Sequence, residues 1–247
     1  MHDEPSSTDT LFATGQAVAG GFRFDADVAR VFADMISRSV PGYAETVALT
    51  GWLSGRYARD DSHLYDLGCS LGATLFACSR ATAGRRVKCV GVDRSAAMLT
   101  RCAEQLARET LPARPELVEA DITELALADA SFVALNWTLQ FVPLARRDAL
   151  CARIADALSK GGALVLSEKV VEPEPARQAE LDRLHLDFKR AQGYSELEIA
   201  AKRSAIEDVL VPETLDAHRE RLLAAGFDVV TEVGRTLNFA TLLAVRL

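Results

Sequence analysis

No apolar run in the sequence approaches the roughly 20 residues that a bilayer-spanning helix requires. The start, Met1 to Thr10, is polar and acidic, where a secretory leader would be basic and then apolar. The chain is therefore expected to be cytoplasmic and free of membrane, with residues 1–20 a flexible lead-in. Cysteine is sparse and unpatterned: Cys69, Cys78, Cys89, Cys102 and Cys151 are odd in number and widely spaced, and no C-x-x-C pair occurs. That excludes a disulfide framework and a zinc site and leaves buried free thiols. Positive charge is also short. Lys and Arg total 28 against 35 Asp and Glu, a net charge of -7, and the densest basic cluster, Arg85-Arg86 with Lys88, is brief and leads into a strand. Direct nucleic-acid binding, which needs clustered cations to neutralise phosphates, is not expected.

What is present is an ordinary soluble composition, 49% hydrophobic and 26% charged over 247 residues, enough for one α/β domain with a substantial core but not for two. The most informative stretch is Tyr65-Asp66-Leu67-Gly68-Cys69-Ser70-Leu71-Gly72, a strand running into a glycine-rich turn. Such a turn lets a nucleotide-type ligand lie against bare backbone at a helix start. About 20 residues further on, the apolar run Val87 to Val92 ends in Asp93, placing an acid at the tip of the neighbouring strand, where it can accept hydrogen bonds from ribose hydroxyls. That spacing is shared by nicotinamide and S-adenosylmethionine sites. The turn arbitrates: Ser70 stands where G-x-G-x-x-G requires its middle glycine, and Asp66 is placed as methyltransferases place the acid that faces the amino-acid end of S-adenosylmethionine.

Along the chain, amphipathic periodicity predicts helices over Asp25–Ser39 and Tyr43–Ala58, separated by Val40-Pro41-Gly42. Strands and helices then alternate: strands at Leu64–Leu67, Val87–Val92, Glu116–Ala120, Ser131–Leu135 and Ala163–Glu168, the last after a Gly161-Gly162 turn. Helices are expected over Gly72–Ala83, from Ser95, and over Ala145–Leu158, followed by Glu174–Gln192, Ser195–Val209 and Leu215–Ala225. Phe227–Val233 and Leu237–Val245, joined around Gly234-Arg235, read as an antiparallel hairpin. The expected architecture is α/β: a mostly parallel seven-stranded sheet ending in an antiparallel hairpin, with helices on both faces. It resembles the Rossmann-like fold of class I methyltransferases. A single domain over 21–247 would carry a helical cover at 21–60 and a helical insertion at 172–212.

Ligands of open α/β sheets gather beyond the carboxyl ends of the strands. Asp121 and Ile122 follow the third strand; resemblance to the methyltransferase arrangement implies that an acid there meets the adenine amino group and the next backbone amide a ring nitrogen, and the alternative is that Asp121 caps a turn. Asn136 ends the fourth strand, positioned for the methionyl portion or the reacting substrate, or else for local backbone.

The stretches FRFDADVARVFADMISRSVPGY, YDLGCSLGATL, LNWTLQF, GGALVLSEK and HLDFKRAQGYSELEIAAKRSAIEDVLVPET resemble the bacterial carboxy-S-adenosyl-L-methionine synthases, and the likeness runs from about Asp9 to Leu247. The resemblance implies a homodimer that uses S-adenosylmethionine as a substrate and takes a carboxyl group from prephenate, releasing phenylpyruvate. The product serves a tRNA carboxymethyltransferase that completes a 5-oxyacetyl group on wobble uridine. Carried over position by position, it implies that Tyr43, Gly68, Cys69, Ser70, Asp93, Arg94, Asp121, Ile122, Asn136 and Arg203 bind the cofactor. Arg94 departs from the family's usual Asn, which leaves a backbone contact there but not that side chain's.

The same resemblance makes Arg203 the residue that grips the transferred carboxylate, through two parallel charge-assisted bonds. By pattern alone, Arg203 is a solvated helix residue, with Glu198–Lys202 and Arg203–Glu207 as i,i+4 pairs. Tyr194 stands between a substrate-carboxylate contact and packing. The family chemistry requires no metal. A hydrolase is the rival spelled by G-x-S-x-G around Ser70, but no oxyanion loop precedes it, and the candidate bases His185 and His218 fall inside helical patterns. An ordinary small-molecule methyltransferase and a non-catalytic cofactor-binding module are the remaining alternatives.

Overall fold

The structure is a computed structural model that describes Asp9, Leu11 and residues 24–206 and 209–247. The lead-in at 1–20 therefore lies outside the described residues, apart from Asp9 and Leu11. Helix α1 (Ala26–Ser39) begins where the Asp25 carboxylate accepts from the N–H groups of Asp27 and Val28, satisfying two donors that a helix start leaves open. Its buried Val28, Val31, Phe32 and Met35 recur at helical spacing. Gly42 supplies the left-handed turn, φ +76°, into α2 (Tyr43–Tyr57).

The alternation follows: β1 (Ser62–Leu67), α3 (Ala73–Ala81), β2 (Val87–Asp93), α4 (Ala96–Arg108), β3 (Glu116–Glu119), β4 (Ala130–Asn136), α5 (Leu144–Ala157) and β5 (Leu158–Val171). Ser95 caps α4 with its hydroxyl on the Met98 N–H. Then come α6 (Pro175–Ala191), α7 (Glu196–Ile206), β6 (Glu213–Thr214), α8 (Leu215–Ala224), β7 (Val229–Thr236) and β8 (Phe239–Val245). The main sheet runs β3-β2-β1-β4-β5-β8-β7. Its first five strands are parallel, and β8 lies antiparallel to both β5 and β7. This is the expected seven-stranded α/β sheet with its closing hairpin.

Parallel strands covered on both faces must be apolar on both, and all seven residues of β4 are buried. Tyr65, Leu67, Val133, Leu135, Leu164 and Leu166 pack on one face with Leu150 and Ile154 of α5 and Leu222 of α8. Their alternate neighbours Leu64, Phe132, Ala134 and Val165 pack on the other, with Leu53 of α2 and Leu75 and Phe76 of α3. A third cluster joins Val28, Phe32 and Met35 of α1 to Leu71, Met98 and Ala201, so the helical cover and α7 close over the glycine turn.

Three details depart from the sequence expectation. Strand β5 begins at Leu158, not Ala163. Ala130 pairs with Leu158 and Phe132 with Ala163, so Gly161 and Gly162 form an irregularity inside a strand where a turn was expected. The final hairpin turns at Leu237-Asn238, with Leu237 at φ +52°, while Gly234 sits at a register shift within β7. The unpaired residue of that irregularity is Val233, between Glu232, which pairs with Leu242, and Gly234, which pairs with Thr241. Finally, the two-residue β6 pairs with Val170 and Val171 at the far end of β5, adding a strand outside the main path.

Candidate active site

Strand order reverses between β1 and β4, and the crevice at such a reversal is where α/β sheets hold ligands. A cavity of about 730 Å³ opens there. Its floor is the glycine turn. The N–H groups of Gly68 and Cys69 both donate to the Val92 carbonyl, at 2.7 and 2.9 Å, which ties the end of β1 to the end of β2. Gly68 takes φ +83°, and a Cβ there would stand 2.2 Å from Thr138 Oγ1. No other residue fits that position. Ser70 adopts a left-handed φ of +47° and donates its N–H to Asp93 Oδ2 at 2.9 Å. The second Asp93 oxygen accepts from the Ser95 N–H at 2.9 Å. Asp93 thus locks the turn and the start of α4 together, with lone pairs left over for a ligand, and burial raises its pKa.

Two acceptors on the cavity wall have no partner. Asp66 Oδ2 and Asn136 Oδ1 are buried and without a hydrogen bond among the described residues. Burial pushes the Asp66 pKa up to about 7, against a backbone bond from Leu75 and with the nearby Asp93 adding to the rise. The Asn136 amide donates to Thr50 Oγ1 and Thr74 Oγ1 at 3.2 and 3.3 Å, so its orphaned oxygen is held in place. Unsatisfied buried acceptors are costly and rare; beside a backbone cradle they suit a cationic or N–H-bearing ligand group. The amino-acid end of S-adenosylmethionine presents such a group, an ammonium, so the residues present fit that ligand.

All ten sequence-predicted site residues line this one cavity: Tyr43 and Arg203 from the cover, Gly68, Cys69 and Ser70 from the turn, and Asp93, Arg94, Asp121, Ile122 and Asn136 from the strand ends. Asp121 also does what its alternative proposed, accepting from the N–H and hydroxyl of Thr123 at 2.8 and 2.7 Å; capping and lining coexist. Arg203 makes no side-chain hydrogen bond or ion pair with a described residue, and Glu207, its expected i,i+4 partner, lies outside the described residues. The expected Glu198–Lys202 pair is replaced. Glu198 accepts instead from Ser195, and Lys202 is buried against Asp9. Tyr194 is packing: its hydroxyl donates to Asp9 Oδ2 at 2.7 Å, and it does not line the cavity.

Several residues escaped sequence reasoning. Glu168, at 2% exposure, accepts from the N–H groups of Thr138, Leu139 and Gln140 at 2.8–3.1 Å. That fixes the segment after β4, including Trp137, whose ring lies 5.1 Å from that of Tyr43. The fully buried Arg147 ties the same segment to the chain after α7 through the carbonyls of Gln140, Val142 and Val211 and an ion pair with Glu213. Lys169, Asp182, His185 and Lys189 also line the cavity. One signal for them was available: Gln178, Asp182, His185 and Lys189 form a polar stripe at helical spacing along α6, where a buried face would be apolar.

The hydrolase alternative fails on geometry. Among the described residues no hydrogen bond joins the Ser70 side chain to a histidine. His185 Nε2 sits 2.9 Å from the Ser39 carbonyl, and His218 is not a cavity residue. Burial drives their pKa values down to about 3 and about 4. All five cysteines are free and buried. Among the described residues no cluster is placed to hold a metal, and no helix is long and apolar enough to cross a membrane.

Comparison with known proteins decides the family. The carboxy-S-adenosyl-L-methionine synthase of Pseudomonas aeruginosa (strain UCBPP-PA14) is 50% identical over 97% of this chain and 99% of its own. The chain belongs to the carboxy-S-adenosyl-L-methionine synthase family. The Shewanella oneidensis member is 44% identical over 98% of this chain and 99% of its own. Residues 64–162, the turn and strand ends of the synthase, match the family described as Methyltransferase domain. An O-methyltransferase family protein of Burkholderia thailandensis superposes with a TM-score of 0.62 at 18% identity, over 90% of this chain and 60% of its own, which establishes the class I methyltransferase fold. The synthase is thus an S-adenosylmethionine-utilising transferase.

Proposed function

We propose that the protein converts S-adenosylmethionine and prephenate to carboxy-S-adenosyl-L-methionine and phenylpyruvate. The observation that carries this reading is Arg203, a guanidinium lining the ligand cavity with no partner among the described residues, in a chain that matches named synthases over nearly its full length. An ordinary methyl transfer needs no cation beside the methyl group. A carboxylate appearing there does, and a planar guanidinium holds it in two bonds at once.

In this reading Asp93 accepts from the ribose hydroxyls, Asp121 from the adenine amino group, and the Ile122 N–H meets a ring nitrogen. Gly68, Cys69 and Ser70 offer close backbone, Arg94 contributes its main chain, and Asp66 and Asn136 take the methionyl end, with Tyr43 closing the cavity above. The bound sulfonium supplies an acidified methyl group. On the prephenate side, the carboxyl carbon leaves the ring without the bonding electrons and is bonded by the methyl carbon through the electron pair of its lost C–H bond; the ring expels its hydroxyl as hydroxide and becomes aromatic, and hydroxide with the methyl proton gives water. The protein's share is to juxtapose the two molecules, hold the carboxylate on Arg203 and keep bulk water out. In this reading the protein is a cytoplasmic homodimer that hands its product to a tRNA carboxymethyltransferase, and the net charge of -7 suits an enzyme that does not bind tRNA itself.

Mass spectrometry of the small molecules after incubation with S-adenosylmethionine and prephenate tests the proposal. A cofactor heavier by one carboxyl group, with phenylpyruvate formed, is expected. Unchanged S-adenosylmethionine would overturn it and leave an ordinary methyltransferase or a cofactor-binding module.

A further inference from the structure

Arg203 is one of three cations of the cavity lining that make no ion pair among the described residues, its expected partner Glu207 lying outside them. Lys169 near the end of β5, Lys189 in the last turn of α6 and Arg203 of α7 line the same cavity, and none of their side chains makes an ion pair or hydrogen bond with a described residue. Elsewhere in the protein buried cations are matched: Lys202 faces Asp9 and Arg147 faces Glu213. The three sense one another. Burial, then Lys202, Lys169 and Arg203, bring the Lys189 pKa down to about 8. Burial and Arg203 also lower that of Lys169, with Asp182 opposing. Asp182 accepts from Gln178 at 2.9 Å and is the acid of this lobe. His185 stays neutral and adds no charge. Lys169 and Lys189 are half-buried and Arg203 is exposed; gathering three like charges in one cavity lining, two of them partly desolvated, is unfavourable unless something anionic completes it. Perturbed groups of this kind gather where ligands bind.

We propose that Lys169 and Lys189 form, with Arg203, a subsite for a dicarboxylate second substrate, the two lysines holding the carboxylate that stays with the substrate while Arg203 holds the one that is transferred. This deepens the proposed function and rests on it: prephenate carries one carboxylate on its ring and another on its pyruvyl arm. The division of labour follows the chemistry of the groups. Ammonium groups bind as compact point charges and tolerate an arm whose orientation is set elsewhere, whereas a guanidinium imposes the plane of the carboxylate that must meet the methyl group. Asp182, beside Lys169, disfavours a third negative charge in the lobe.

The test compares wild type with Lys169→Gln and Lys189→Gln in two measurements. In steady-state assays KM for prephenate is expected to rise at least tenfold in each variant, with Lys189→Arg recovering most of the loss. By calorimetry the affinity for S-adenosylmethionine stays within twofold of wild type, which also shows that the variants fold. In the second measurement, prephenate is titrated into protein saturated with S-adenosylhomocysteine; wild type binds and the glutamine variants bind at least tenfold more weakly. Folded variants with unchanged KM and unchanged prephenate affinity would overturn the subsite. If wild type binds prephenate through these lysines but makes no carboxylated product, the subsite stands and the proposed reaction falls.

Discussion

Lys202 Nζ and Asp9 Oδ2 meet 3.3 Å apart across 193 residues of sequence, both buried, with the Tyr194 hydroxyl bonded to each of them. The Asp9 N–H continues the contact to Asp34 of α1 at 2.7 Å, and Lys202 also donates to Ser39 Oγ at 2.9 Å. Successive helix residues are about 100° apart, so pinning Lys202 inward sets the face on which Arg203 is presented. Asp9→Ala strands a buried ammonium and is expected to destabilise the protein by about 3 kcal/mol, read by urea unfolding. An Asp9→Leu, Lys202→Met double variant recovers most of that loss, because an apolar pair of similar volume leaves no uncompensated charge. A double variant as unstable as the single one would show that the pair contributes attraction beyond its own desolvation.

The glycine turn gives a sharper test. Gly68→Ala adds a Cβ to a residue at φ +83°, 2.2 Å from Thr138 Oγ1. The Thr138 segment is held by Glu168 and cannot retreat freely. S-adenosylmethionine affinity is expected to fall at least a hundredfold by calorimetry, with stability reduced by roughly 1–3 kcal/mol from the strained backbone.

Arg203→Lys keeps the charge and loses the planar fork. Hydrogen bonds to charged groups contribute about 1.5–3 kcal/mol, so losing one of two should slow formation of the carboxylated product by roughly 10- to 150-fold, with S-adenosylmethionine binding little changed. Equal loss of both would move Arg203 from the transferred carboxylate to the cofactor itself.

Asp66 predicts a pH dependence. Its pKa is raised to about 7. The neighbours it influences, Tyr43, Cys69 and Cys78, stay neutral there because their own pKa values are raised, and Asp93 is the other acid in reach. A raised carboxyl pKa favours the folded ligand-free protein below the ordinary value of 3.8, and that contribution is lost as pH rises through about 7. Binding of an ammonium runs the other way, since it needs the ionised form. S-adenosylmethionine affinity is therefore expected to improve about tenfold from pH 6 to pH 8. Asp66→Asn should bind more weakly and flatten this profile; an unchanged slope in that variant would assign the titration elsewhere.

The parts of the site that were legible in the sequence are those fixed by neighbours in the chain. Gly68 and Gly72 mark a glycine turn, whose left-handed φ values they supply, the apolar run before Asp93 makes a strand with that acid at its tip, and Ser95 caps the next helix. Arg203 became readable as a ligand residue through family resemblance; the helical pattern around it gave an exposed residue, which it is, but not that it lines the cavity. The expected turn around Gly234-Arg235 rested on glycine as a turn marker; the register with β8 carries the strand past it, and the turn falls at Leu237-Asn238.

The sequence by itself determined the alternation of strands and helices, the glycine turn and the acids at the strand tips, because these follow from periodicity and backbone preference over a few residues. Only the tertiary structure decided that Lys202 faces Asp9 and not Glu198, that Glu168 holds the segment after β4, and that Lys169, Lys189 and Arg203 share one wall. Those arrangements depend on how β5, α6 and α7 pack. Charges distant in sequence are brought together by the burial of apolar faces elsewhere, and no local pattern records that.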